Sequence, residues 1–319
     1  MKLILTSQSG EYDITQLITS MTWSGDINQV ARKLEFGIVV SPTDPYIPKV
    51  YIGLGNKLRF YDNSGKELFR GTVFFKEKSY HGSEMKVTAY DNLIYLTKSK
   101  MSRNFKKIMP ETITQQVCSM LGVTPGSLAS TGVPVDFIAS AITGYDIIMS
   151  AYTRAAWKNG KAYFAIMQQG KFNVMEKGQN IVDATLDSTV NIMDSNYSET
   201  IESMVNQFQI TDENGNTLKY YSDDSLIKPY GMIQDVMQKE QGKDPVAAAK
   251  NSIKGVERKA SLQCLGDESC IAGYGVKVKE AYTGLTGLFW IDSDSHTFQE
   301  GQHTMQLTLN FINTMDAKE

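Results

Sequence analysis

The sequence predicts an α+β chain that is mainly β, with two similar antiparallel β-barrel-like modules separated by a central α+β unit. Three observations lead there. Apolar and β-branched residues alternate between turn signals over 1–104 and again beyond Ser195; helical spacing takes over between these regions; and matching residues recur at a constant offset of 220.

The first module, 1–104, contains LEFGIVV at 34–40, KLRFYD at 57–62, ELFRGTVFF at 67–75 and MKVTAYDNLIYL at 85–96. Asn63-Ser64-Gly65 and Tyr80-His81-Gly82-Ser83 read as hairpin turns, because Asn and Gly reach the positive φ that tight turns need. In 105–195, Pro110 opens a helix whose apolar positions are Ile113, Val117, Met120 and Leu121, and Gly122 stops it. A second helix spans about 145–157 on the stripe Ile147, Ile148, Ala151, Tyr152 and Ala155, with Asn159-Gly160 as its C-terminal cap. Short strands AYFAIM at 162–167 and KFNVME at 171–176 complete the unit.

The second module, 196–319, opens with MVNQFQITD at 204–212, a turn at 213–216 and TLKYYS at 217–222. Asp244-Pro245 starts an inserted helix over 244–255. ERKASLQCLG at 257–266, GVKVKEAY at 275–282, GLFWID at 287–292 and HTMQLTLNF at 303–311 are its further strands. At the offset of 220, Gly53, Gly55 and Lys57 match Gly273, Gly275 and Lys277; Leu68 and Phe69 match Leu288 and Phe289; Met85 and Thr88 match Met305 and Thr308.

Composition narrows the function classes. With 319 residues, 41% hydrophobic and 21% charged, the chain can bury more than one core. Thirty-two basic against thirty-five acidic residues leave a net charge of −3, which excludes a protein built to grip nucleic acid through its backbone. The densest basic run, Lys98–Lys107, reads as a solvated connection between domains. Leu3-Ile4-Leu5 is too short for the apolar core of a signal peptide, and no apolar window is long enough for a membrane span. Three cysteines make no disulfide framework, so folding in a reducing cytoplasm is expected; a Cys264–Cys270 bridge after release into an oxidising medium is the open alternative.

Chemistry-bearing constellations are sparse. The three histidines include His81 in a turn, and no Gly-x-Ser-x-Gly elbow or phosphate loop is present. Asp292, Asp294, His296 and His303 resemble a metal cluster but lack a ligand spacing, and the expected reading is a polar strand-turn-strand connection. Cys118 reads as a small buried hydrophobe. Paired carboxylates of the glycosidase type can meet in space from distant positions; Glu199, Glu202 and Asp212 lie near one another, but helix and strand surfaces carry such acids routinely. No catalytic residue, cofactor or metal is expected.

The stretches MTWSGDINQVARKLEFGIV at 21–39, GNKLRFYDNSGKELFRGTV at 55–73 and TAYDNLIYLTKS at 88–99 resemble the PBSX-type (XkdQ-like) phage tail hub proteins. Those belong with the phage late control gene D proteins and the hub part of type VI secretion spikes. The similarity continues through YDIIMSAYTRAAWKNGKAYF at 145–164, MVNQFQITD, KPYGMIQDV at 228–236 and the stretch 287–311, so it covers nearly the whole chain. The residues weighed most are Trp23, Gly25, Arg32, Leu34, Phe69, Arg70 and Gly71, with Gly287 and Phe289 at the second copy. Structural roles are expected of them.

The resemblance implies a non-enzymatic baseplate hub of a contractile phage tail or tail-like bacteriocin. Three copies, each with two similar modules, would form a pseudo-six-fold ring between a six-fold tail tube and a three-fold spike. The implied partners are the homotrimer, the tube protein, the spike and other baseplate proteins, without specific nucleic-acid binding or membrane insertion. Assembly would take place in the bacterial cytoplasm and release by lysis. Two rival readings are a tail-associated peptidoglycan hydrolase and a carbohydrate-binding module using Tyr46, Tyr51, Tyr220 and Tyr221.

Overall fold

A computed structural model describes residues 1–28, 30–41, 44–79, 83–240 and 244–318. His81 and most of its turn lie outside the described residues. The chain is mainly β with antiparallel pairing dominant, and it divides into two compact units: Met1–Ser195 with Ser261–Glu319, and Asn196–Ala260.

The chain begins with β1 (Lys2–Ser7), β2 (Gly10–Asp13), a 3-10 turn at Thr15–Leu17, and β3 (Ile18–Asp26). Next come β4 (Lys33–Val39), β5 (Lys57–Tyr61), β6 (Glu67–Lys78) and β7 (Glu84–Asp91). The alternation that predicts these strands is also their burial pattern: on β5 Leu58 and Phe60 are buried, and on β7 Met85, Val87 and Ala89.

Helices then enter. α1 (Leu93–Lys98) occupies what reads as the end of a strand, because Asp91 accepts the Leu93 N–H at 2.9 Å and turns the chain. β8 (Lys100–Ile108) follows, and then α2 (Pro110–Met120), β9 (Pro125–Leu128), β10 (Val135–Thr143) and α3 (Gly144–Asn159). The basic run is therefore no loose connection: β8 pairs antiparallel with β10 and buries Phe105. The Thr143 hydroxyl caps α3 by accepting the Asp146 N–H at 3.0 Å, and Gly160 ends it at φ 71°. β11 (Tyr163–Gln168) and β12 (Lys171–Glu176) form the short hairpin expected there. Val117, Tyr152, Tyr163 and Phe172 belong to one core with these helices.

β13 (Ile181–Asp187) and β14 (Ile192–Thr200) lead to the second unit. There β15 (Gln207–Thr211) lies between antiparallel β16 (Thr217–Ser222) and, after α4 (Asp224–Tyr230), parallel β17 (Gln234–Gln238). α5 (Pro245–Ser252) contributes Ala249 to a small core with Phe208 and Ile210. β18 (Glu257–Leu265), β19 (Gly275–Lys279), β20 (Thr286–Gln299) and β21 (Gln302–Asn310) complete the strands. Among the described residues no helix is long and apolar enough to cross a membrane.

A 13-stranded sheet runs β14-β18-β21-β20-β3-β4-β7-β6-β5-β1-β2, with β19 on β20 and β13 on β19. Two strand orders within it coincide: β3-β4-β7-β6-β5-β1 and β14-β18-β21-β20-β19-β13. They differ at the end, since β1 runs antiparallel to β5 whereas β13 runs parallel to β19. They differ also in the link after the first strand, which is a short loop from β3 to β4 but the Asn196–Ala260 unit from β14 to β18.

The ladders refine the offset read from sequence. Gly55 N–H bonds Val73 O and Val73 N–H bonds Asn56 O, both at 2.9 Å. Gly273 N–H bonds Ile291 O at 2.8 Å and Ile291 N–H bonds Tyr274 O at 2.9 Å, the same pair of bonds at an offset of 218. Both glycines need their freedom here, at φ 85° and 93°. The register shifts at Val73/Phe75 and Ile291/Ser293 also agree at 218, while β7 and β21 agree at 220. A slip of two residues keeps every side chain on its face, so the sequence match at 220 preserves the burial pattern while missing the register.

Candidate functional site: a buried polar node

β3 and β20 pair antiparallel, which places Trp23 opposite His296 and Gly25 opposite Asp294. Arg32 enters from the loop before β4 and is only 5% exposed. Its Nη1 donates to Asp294 Oδ1 at 2.9 Å, and Nη2 donates to Oδ2. The guanidinium carbon sits 4.1 Å from the centre of the Trp23 ring. Gly25 is a requirement of that geometry: a Cβ there would fall 2.3 Å from Arg32 Nη1. Asp294 Oδ1 also accepts the Ala272 N–H at 2.6 Å, so the carboxylate ties three segments together.

Asp91, at the end of β7, is buried beside this node and accepts the Arg32 backbone N–H at 3.1 Å. Burial pushes its carboxyl up to about 7, against the opposing pull of the Leu93 and Arg32 N–H groups and the Arg32 charge. His296 is fully buried; its Nε2 lies 3.1 Å from Cys270 O and its Nδ1 3.1 Å from His303 Nε2. Burial pushes the His296 imidazole down to about 4, although Asp294 favours its charged form. His303 stacks on Phe298 with ring centres 4.1 Å apart, and burial lowers it too.

These two buried groups give opposite pH dependences. Between the ordinary Asp value of 3.8 and about 7, the folded chain keeps an Asp91 proton that the unfolded chain loses, so stability falls as pH rises. Between about 4 and the ordinary His value of 6.5, the unfolded chain binds a proton that folded His296 refuses, so stability rises with pH. In wild type the two slopes oppose each other. Asp91→Asn is expected to make stability climb more steeply with pH across 4–6.5, and His296→Gln to make it fall. Urea midpoints at a series of pH values check this; curves parallel to wild type for both variants would contradict it.

The node makes poor metal or acid-base machinery. Both His296 nitrogens and both Asp294 oxygens are engaged by protein partners, and neither side chain reaches solvent. Among the described residues no group of His, Cys, Asp and Glu is arranged to hold a metal ion. His296 lies in the β20–turn–β21 unit, as the sequence reading has it, but is buried in the core there. The other acids raised by sequence are exposed or half-exposed: Glu199 pairs with Arg258 at 2.9 Å, and Asp212 accepts two backbone N–H groups of its own turn. Both are held below the usual carboxylate range, Glu199 by Tyr197 and Arg258 and Asp212 by Asn216, the wrong direction for a general acid. Cys118, Cys264 and Cys270 are buried and unbridged, and burial pushes the Cys118 and Cys264 thiols up to about 12.

Of the weighted residues, Trp23, Gly25 and Arg32 meet in the node, and Leu34 lies across from Trp23 with no exposure. The others lie apart. Phe69 is buried in the sheet core, and Gly71 is compelled by packing, since a Cβ would fall 2.4 Å from both Tyr90 O and the Phe69 ring. Arg70 is exposed and pairs with Glu67 at 2.7 Å. Gly287 is exposed at φ 133°, and Phe289 packs edge-on against Phe311. Sequence reasoning missed Asp91 as a member, and read Asp294 and His296 as part of a polar strand-turn-strand connection without foreseeing their burial. The available signal was the parity of Asp294, His296 and Phe298 on one strand face, which sends an acid into a core that must supply a cation. Of the aromatics raised for carbohydrate binding, Tyr46, Tyr51 and Tyr220 are exposed, but Tyr51 lies under Lys76 and Tyr221 packs on the small core of the second unit.

Known proteins share this chain's pattern. A family described as YQBQ-like matches residues 21–310. The phage-like element PBSX protein XkdQ of Bacillus subtilis (strain 168) is 26% identical over 309 residues, covering 93% of each chain. The 43 kDa tail protein of prophage MuSo2 from Shewanella oneidensis superposes with a TM-score of 0.73 at 13% identity, over 97% of this chain and 98% of that one. An E. coli component of the type VI secretion system, itself structurally similar to the T4 bacteriophage tail proteins gp27 and gp5, superposes with a TM-score of 0.57 at 8% identity. That match spans 95% of this chain and 76% of the other. At such identities the likeness to the two solved structures is one of fold.

Proposed function

The chain belongs to the YQBQ-like family, and from that premise we propose that it is a structural, non-enzymatic baseplate hub of a contractile phage tail or tail-like bacteriocin. Three copies form a pseudo-six-fold ring that adapts a six-fold tail tube above to a three-fold spike below. Other baseplate proteins bind around it. The ring assembles in the bacterial cytoplasm and leaves by lysis.

The observation that carries this reading is the recurrence of one strand order within a single sheet. A chain with two like halves meets a six-fold neighbour with three copies, each half standing for one position of the ring. In this reading 1–104 and 196–319 supply the two barrel-like modules, and 105–195 breaks their equivalence. The buried Arg32–Asp294 pair belongs to this design, because it locks the β3–β20 junction at which the halves meet.

The relatives support a structural role, and two of the acids raised by the sequence fit it, since Glu199 and Asp212 are held below the usual carboxylate range. The reading is tested by zymography on peptidoglycan together with the mass of the chain co-expressed with its spike. No clearing and three copies per complex are expected. Clearing by the purified chain, or a complex with one or six copies, would overturn it.

A further inference from the structure

The two halves share a strand order but not its surroundings. On one edge of β20, β19 pairs with Thr286–Trp290 and β3 pairs with Ser293–Gln299. That second ladder opens with the Ile27 N–H bonding Asp292 O at 2.9 Å. On the corresponding edge of β6, β5 takes Glu67–Thr72, and Gly55 and Asn56 take Val73. Among the described residues no strand pairs with that edge over Phe74–Lys78. The place that β3 fills on β20 is open on β6.

The strand standing where β3 stands, in the other half, is β14. Among the described residues it stands at the end of the sheet with no strand on its outer side, and six strands separate it from β6 within the chain. We propose that β14 of a second copy pairs antiparallel with Phe74–Lys78 of β6, repeating between chains the ladder that β3 and β20 form within one. This interface rests on the hub reading and names the surface by which the copies meet.

Phe74 and Phe75 are 40% and 50% exposed, large apolar groups that a strand partner would cover. An unpaired strand edge is otherwise a site of uncontrolled pairing. The two edges are different surfaces of one chain, so the contact is head-to-tail and generates a ring when its rotation closes.

The internal ladder supplies a register. Ser295 faces Ser24 on β3, and the β6 counterpart of Ser295 at the offset of 218 is Glu77. β18 aligns with β4 through matching bonds, Val40 N–H to Ser83 O at 2.8 Å and Gly266 N–H to His303 O at 2.9 Å. β14 aligns on β18 through the Leu265 N–H to Asn191 O bond at 2.9 Å, which puts Tyr197 in the place of Ser24. Glu77 of one copy therefore faces Tyr197 of the next, within reach of a disulfide if both are cysteine.

The test combines Glu77→Cys with a single cysteine at Ser195, Asn196, Tyr197, Ser198 or Glu199, in particles assembled from the full chain and mildly oxidised. Non-reducing gels are expected to show linked dimers and trimers, most strongly for Tyr197→Cys and least for Asn196→Cys and Ser198→Cys, whose side chains point to the opposite face. Wild type, with its buried cysteines, gives the background. A trimer by mass with no link at any of the five positions overturns this interface and leaves the hub reading standing. A chain that enters no oligomer in assembled particles overturns both.

Discussion

Replacing Asp294 by Ala is expected to destabilise the folded chain by about 3–5 kcal/mol, the cost of leaving a buried charge without its partner. Both side chains of the pair are nearly inaccessible, at 6% and 0% exposure, so water cannot substitute for the lost carboxylate. Arg32 would keep its place over Trp23 but lose both of its charged hydrogen bonds, and the Ala272 N–H would lose its acceptor. The pair need not be stabilising in itself. Arg32→Met combined with Asp294→Leu should cost clearly less than Asp294→Ala alone, since no buried charge is left. Urea denaturation of the three proteins checks the order. Equal losses in the single and double variants would show that packing rather than unpaired charge sets the cost.

Gly25→Ala should also be costly, by about 1–3 kcal/mol as for other overpacked sites, and its cost should depend on Arg32. The atoms nearest the new methyl are Arg32 Nη1 and Cζ at 2.3 and 2.8 Å and Asp294 Oδ1 at 3.3 Å. These belong to side chains that can shift, but shifting them breaks the buried pair. In the Arg32→Met, Asp294→Leu background the methyl meets no fixed fork, and most of the penalty should vanish. A double-mutant cycle measures this coupling directly. An additive cycle would mean that Gly25 serves the backbone of β3 and not the node.

Much of the fold was legible because strand alternation and burial share one cause. Leu58, Phe60, Met85 and Val87 announce their faces by position alone, and the helix stripe from Ile147 to Ala155 does the same at its own period. The elements that were misread lack such a signal. In MKVTAYDNLIYL the apolar run LIYL fits a strand or a helix by composition, and it is Asp91, accepting the Leu93 N–H, that ends the strand and starts α1. The basic run at 98–107 looked solvated because most of β8 is exposed, yet its one buried aromatic, Phe105, anchors a strand.

The node was half legible for a related reason. Trp23, Gly25 and Arg32 were singled out together, but their partners lie more than 250 residues later in the chain, on a strand whose pairing follows from topology and not from local pattern. The repeat shows the same limit from the other side. Side-chain parity survives a slip of two residues, so the sequence match falls at 220 while the backbone hydrogen bonds of the recurring strand order fall at 218.

The central claim is that two like halves in each chain let three copies fill six positions. It is tested most directly by counting this subunit in an image of the assembled particle. The claim predicts three copies in one ring between tube and spike, with the two halves of each chain alternating around the axis. One copy or six copies per particle, or three copies whose halves lie at different heights along the axis, would contradict it.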